Sequence, residues 1–62
     1  MNDPKFEVGD KVIHNNLNCE ITYGPLLFGN FYIYDLKEIE FYHVFFGVPE
    51  DEIQKIKAKK KI

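Results

Sequence analysis

No arginine and no serine occur anywhere in the 62-residue chain, and cysteine occurs once, as Cys19. Arginine is the side chain that forks onto phosphate and reads guanine through paired hydrogen bonds, so its absence counts against nucleic acid as a partner of the folded body. A chain without serine has no serine nucleophile. One cysteine permits no intramolecular disulfide, which fits a reducing cytosol. The four glycines, Gly9, Gly24, Gly29 and Gly47, are too scattered to cradle a phosphate group. No apolar run approaches the ~20 residues that a membrane span needs. The opening Met-Asn-Asp-Pro-Lys has neither the basic nor the apolar region of a secretory signal. Together these absences predict a cytoplasmic protein with no membrane partner.

The residues left to carry chemistry are few. His14, Cys19 and His43 are the only soft or borderline metal ligands, and their spacing follows no zinc or cysteine-protease pattern. A domain this small also offers little room for a substrate cleft. We therefore expect no metal, no cofactor and no catalytic centre.

Charge is split along the chain. Residues 1–54 hold three lysines against ten carboxylates, a net −7, whereas residues 55–62 hold Lys55, Lys57, Lys59, Lys60 and Lys61, a net +5. The body is acidic and the tail basic. A lysine run of this kind is usually a solvated terminus; its alternative use is nucleic-acid binding by counterion release.

What the chain has in excess is aromatic side chains. Residues 31–46 contain seven of the ten: Phe31, Tyr32, Tyr34, Phe41, Tyr42, Phe45 and Phe46. Aromatic and β-branched residues suit a pleated, half-buried surface, so residues 31–36 and 39–46 read as two antiparallel strands joined through residues 35–38. Side chains alternate along a strand. Phe31 and Ile33 then share one face, Tyr32 and Tyr34 the other. A chain of this size buries only about 60% of the surface its unfolded form exposes, so it covers one face of a sheet well and leaves aromatics on the second.

Read in order, residues 1–5 form a frayed lead-in. Gly9-Asp10 signals a turn, followed by a short strand over residues 11–14 and a loop over residues 15–18. Cys19, Ile21 and Tyr23 alternate with Glu20 and Thr22 as in a half-exposed strand. Gly24-Pro25 interrupts this strand and suggests a one-residue bulge that brings Leu26 and Phe28 onto the face of Ile21 and Tyr23. Gly29-Asn30 suits a two-residue hairpin loop with Phe28 opposite Phe31. On this reading Leu26, Phe28, Phe31 and Ile33 line the core, while Leu27, Tyr32 and Tyr34 point away. Pro49-Glu50-Asp51-Glu52 has a proline and three carboxylates suited to the positive end of a helical turn. Ile53 and Ile56 follow at a spacing that packs one such turn. The domain spans residues 6–56, and residues 57–62 form the lysine-rich tail.

The stretch Phe6-Glu7-Val8-Gly9-Asp10-Lys11-Val12-Ile13-His14 resembles the opening strand of the CarD amino-terminal domain and of the Tudor-like carboxy-terminal domain of UvrD-type helicases. Pro49-Glu50-Asp51-Glu52-Ile53 is similar to the acidic turn that closes many such domains. The resemblance implies an all-β fold: a small five-stranded SH3-like barrel of the Tudor and KOW type, with a short 3-10 or helical turn near the C-terminus. It also implies docking on another protein, RNA polymerase included, or on nucleic acid. The chain departs from that pattern in lacking a glycine-rich kink in its first loop and in having an acidic, arginine-free body.

These features predict a non-enzymatic protein-binding module that occupies a partner's surface. The partner expected is a host enzyme, RNA polymerase or a second copy of the chain. Residue usage resembles that of an AT-rich genome, as in a low-GC bacterium or its phage, which suits a phage- or plasmid-encoded inhibitor or modulator. The predicted binding residues are Leu27, Tyr32, Tyr34, Phe41 and Tyr42, with Asp35, Glu38 and Glu40 as an acidic rim. A methyl-lysine cage built from Tyr32, Tyr34, Phe41 and Tyr42 is conceivable through cation–π attraction, but plain packing surface is the simpler account. The rival function is a KOW-like nucleic-acid binder using Lys55, Lys57, Lys59, Lys60 and Lys61.

Overall fold

The computed structural model describes residues 3–56. They form strands β1 (Lys11–His14), β2 (Leu17–Phe28), β3 (Phe31–Glu38) and β4 (Val44–Pro49), a 3-10 turn (Glu50–Glu52) and a short β5 (Gln54–Lys55). All strand pairs are antiparallel, in one five-stranded sheet of order β4-β3-β2-β1-β5. The expected all-β fold with five strands and one short turn near its end is what the chain adopts. Lysines 57, 59, 60 and 61 lie outside the described residues.

Local chemistry accounts for the tight connections. Asn15 and Asn16 have φ 56° and 64°, the paired positive values of a type I′ hairpin turn that asparagine tolerates better than most residues. The strand β2 therefore begins at Leu17, earlier than the loop expected over residues 15–18. At the next hairpin Gly29 has φ 66° and Phe28 pairs with Phe31, as the Gly-Asn dipeptide predicts. Pro49 precedes the 3-10 turn and all three of its residues are acidic, as the macrodipole favours.

The core consists of Phe6, Val12, Cys19, Ile21, Tyr34, Leu36, Val48 and Ile53, with Leu17, Tyr32 and Phe45 packed against it. The hairpin register is as expected, yet its faces are reversed. Tyr34 is 1% exposed, whereas Phe28 is 61% and Phe31 42% exposed. The physical reason lies in the polar atoms that came with each parity. The Tyr34 hydroxyl donates to Glu50 Oε2 at 2.6 Å and accepts from the Phe6 backbone N–H at 3.3 Å. Tyr34 can thus bury its ring without orphaning its hydroxyl. Its ring meets Phe6 edge-on, with centroids 5.6 Å apart.

Two irregularities in β2 complete the reversal. Register shifts occur between Ile21 and Tyr23 and again between Tyr23 and Leu26. The first turns Tyr23 outward, away from the buried Cys19 and Ile21; the second keeps Leu26 and Phe28 on Tyr23's side. At Gly24 φ is 116°, and a Cβ there would lie 3.0 Å from the Ile33 carbonyl oxygen. The bend requires glycine at this point.

The second aromatic segment also differs from expectation. β3 runs on through residues 35–38, residues 39–41 form a turn, and β4 starts only at Val44. Glu38 is the cause. It is 2% exposed, and its carboxylate accepts from the backbone N–H groups of Glu40 at 3.3 Å and Phe41 at 3.0 Å. Its backbone N–H donates to the His43 carbonyl, and its carbonyl accepts from Tyr42 N–H. At the last residue of the lead-in the Lys5 N–H donates to Glu50 Oε2 at 2.9 Å, and Phe6, the first residue of the domain, is buried.

Candidate functional site

The surface turned away from the core across β2, β3 and β4 is built of paired rows. Phe28 lies opposite Phe31, Leu26 opposite Ile33 and Ile33 opposite Pro49. The next row holds Tyr23 and Asp35. Phe45 packs on the core, so alternation sends Phe46 outward beside Asp35. The last row holds Glu20, Lys37 and Val44. Phe46 is 76% and Tyr23 59% exposed, and Leu26 and Val44 are close to half exposed. The rings of Phe28 and Phe31 sit 5.8 Å apart at 70°, edge to face.

Hydrogen bonds cross-tie this face at its centre. Asp35 Oδ1 accepts from the Gly47 N–H at 3.1 Å, and Thr22 Oγ1 donates to the Asp35 carbonyl at 3.2 Å. These bonds tie the irregular stretches of β2 and β4 to β3, so the apolar side chains stand on fixed backbone. At one end the turn after β3 adds exposed Ile39, Phe41 and Tyr42. The Lys37 ammonium lies 5.4 Å above the Tyr42 ring, joining that turn to the face by a cation–π contact. At the other end a shallow cavity of about 420 Å³ lies between Phe31, Pro49 and the acidic turn of Glu50, Asp51 and Glu52.

The binding residues expected from sequence are dispersed by this arrangement. Phe41 and Tyr42 are exposed, as is Glu40, and Asp35 is half-buried on the outer face. Tyr34 is in the core. Tyr32 is partly buried and packed against that core, and Glu38 is buried beneath its own turn, so neither Tyr34 nor Glu38 can serve a binding surface or its rim. Leu27 pairs with Tyr32 on the core side and is nevertheless 46% exposed. A cage of Tyr32, Tyr34, Phe41 and Tyr42 does not form, because the first two face inward while the latter two sit in an exposed turn. Lys55 is exposed in β5. The residues that sequence reasoning placed inside, Leu26, Phe28 and Phe31, are those the outer face displays.

His14, Cys19 and His43 have separate surroundings. His14 Nδ1 lies 2.8 Å from the Glu52 carbonyl oxygen, and its ring meets Phe45 edge-on. Cys19 is fully buried, and burial, aided by the Glu38 carboxylate, pushes its thiol pKa up. His43 lies in the turn, with its ring tilted against Phe41. Among the described residues no three histidine, cysteine or acidic side chains are grouped as metal ligands. The Tyr34 hydroxyl has its pKa pushed up to about 12, first by burial and then by its bond to Glu50. That shift belongs to a structural contact.

No family model, curated protein or solved structure matches the chain. The functional reading therefore stands on the geometry of the outer face.

Proposed function

We propose that the chain is a non-enzymatic protein-binding module whose working surface is the outer face of β2, β3 and β4. The observation that carries this reading is the exposure of Tyr23, Leu26, Phe28, Phe31, Val44 and Phe46 on one side of a single sheet. A fully buried aromatic side chain removes ~150–250 Å² from water. Scaled by the exposure of each residue, the six present roughly 600 Å² of apolar area, at the upper limit of the ~300–600 Å² largest patch of an ordinary monomer. An apolar surface of this extent on a backbone cross-tied through Asp35 suits burial against protein. Its charged side chains, Glu20, Asp35 and Lys37, sum to a net negative charge, which disfavours a phosphate backbone as partner.

Photo-crosslinking tests this. p-Benzoylphenylalanine placed at position 46 should capture protein in cells that express the chain, while the same group at the exposed position 7 should capture little. Equal yields from both positions, or none from position 46, would sink the reading.

A further inference from the structure

We infer that the occupant of the outer face is a second copy of this chain, packed face to face about a two-fold axis. This rests on the protein-binding reading above and names its partner. The first argument is area. A standard interface buries ~800 Å² on each partner. The six residues of the face supply most of that, and exposed Tyr42, set beside the face with the Lys37 ammonium over its ring, supplies more. The described part of the chain buries eight hydrophobic residues and exposes twelve large ones. So small a core gains most from association, since chains of this size often owe their stability to oligomerisation.

The second argument is self-complementarity. A two-fold interface brings the same patch of both copies together, so that contacts occur in reciprocal pairs. An axis crossing β3 beside Leu36 sets Asp35 of each copy opposite Lys37 of the other. It also carries the Phe28 and Phe31 end of each face toward the partner's turn of Ile39, Phe41 and Tyr42. The charges of the face, Glu20, Asp35 and Lys37, come close to balancing, although residues 3–56 as a whole hold four lysines against ten carboxylates.

The full chain is closer to neutral, with eight lysines against ten carboxylates. Long-range repulsion between two copies is then small, and association through an apolar face should depend little on salt, whereas docking on a strongly basic partner should weaken as salt is added.

Sedimentation velocity of the full chain over about a hundredfold range of concentration measures this directly, because a dimer's population follows protein concentration. The wild type should pass from monomer to dimer as its concentration rises, with little dependence on salt. Phe28→Lys combined with Phe46→Lys should weaken association at least tenfold, while Glu7→Gln should leave it unchanged. Phe46→Lys alone serves if the double variant does not fold by circular dichroism. Lys37→Glu should also weaken association, by setting like charges opposite each other. A wild type that stays monomeric throughout overturns the second copy as occupant, and crosslinking from position 46 to a different protein would then preserve the broader reading. A dimer that persists undiminished in the lysine variants overturns the assignment to this face.

Discussion

Tyr34 donates its hydroxyl proton to Glu50 across 2.6 Å, joining the middle of β3 to the 3-10 turn sixteen residues later. The same carboxylate oxygen accepts the Lys5 N–H, and the hydroxyl accepts the Phe6 N–H. One buried side chain thus fastens the lead-in, the central strand and the closing turn.

Tyr34→Phe should destabilise the fold by about 1–3 kcal/mol, the range for losing a hydrogen bond to a charged group and leaving a partner unmet. The effect should depend on pH. The folded-state pKa is pushed up to about 12, above an ordinary tyrosine value near 10, so between these two values the unfolded chain has released a proton that the folded chain retains. Stability is then present in full below about pH 10 and falls as pH rises toward 12. Urea unfolding of wild type and variant at pH 8, 10 and about 12 checks this, because other titrating groups cancel in the difference. The wild-type advantage should shrink at high pH; a constant difference would show that the hydroxyl proton is not held.

Glu38 should matter through the turn it organises. Its carboxylate accepts the N–H groups of Glu40 and Phe41 from a buried position. Glu38→Ala leaves the turn's donors without this acceptor and opens space beside Cys19, at a cost of about 1–3 kcal/mol. Glu38→Gln retains one acceptor oxygen and should lose less. Amide hydrogen exchange at Phe41 should accelerate in both variants, and more in the alanine one. Unchanged exchange would mean that the backbone alone fixes the turn.

Where the chain's own neighbours decide, the sequence is readable. Gly29-Asn30 specifies a hairpin with Phe28 opposite Phe31, and the acidic run after Pro49 specifies a short turn; both form as read. The choice of face was not readable in this way. Phe31 and Ile33 make as good a core as Tyr34 and Leu36 by composition, and the decision rests on Glu50, a partner distant in sequence. Tyr23 turns outward through an irregularity at Thr22 that no glycine or proline announces. An outward aromatic face was therefore foreseeable, but its members were exchanged for their neighbours. The one usable signal was Glu38, whose parity matches Tyr34 and whose side chain can bond back into a following turn.

Gly24→Ala should be strongly destabilising. The position combines φ 116° with a Cβ site 3.0 Å from the Ile33 carbonyl oxygen and 3.1 Å from the Tyr34 ring. Strain at such a backbone conformation costs about 1–3 kcal/mol, and relief of the backbone contact requires β2 and β3 to separate locally. Gly29→Ala meets nothing within 4 Å, and its φ of 66° lies in the left-handed region that other residues can enter, so it carries a smaller conformational cost and no close approach. Thermal melts should rank wild type above Gly29→Ala above Gly24→Ala. Equal losses from the two variants would show that neither the close approach nor the more strained φ at Gly24 carries weight.

The sharpest contrast between composition and structure is that of Phe28 and Ile53. Phe28 is the larger apolar side chain, with more surface to bury, yet it is 61% exposed and Ile53 only 5%. Ile53 packs with Phe6, Val12 and the rest of the buried cluster just after the 3-10 turn, and its N–H donates to the Glu50 carbonyl. Ile53→Ala removes three carbons from a closed site and should cost about 2–4 kcal/mol. Phe28→Ala removes more atoms, but most of them face water, so at a concentration where the protein is monomeric the cost should stay below about 1 kcal/mol. Raising the concentration should alter the comparison, because the wild type gains stability from any partner that covers Phe28 while the variant gains less. Chemical denaturation at two well-separated concentrations reads both effects. A large loss from Phe28→Ala in dilute solution would place that ring in the core after all, and with it the face on which β3 was first expected to pack.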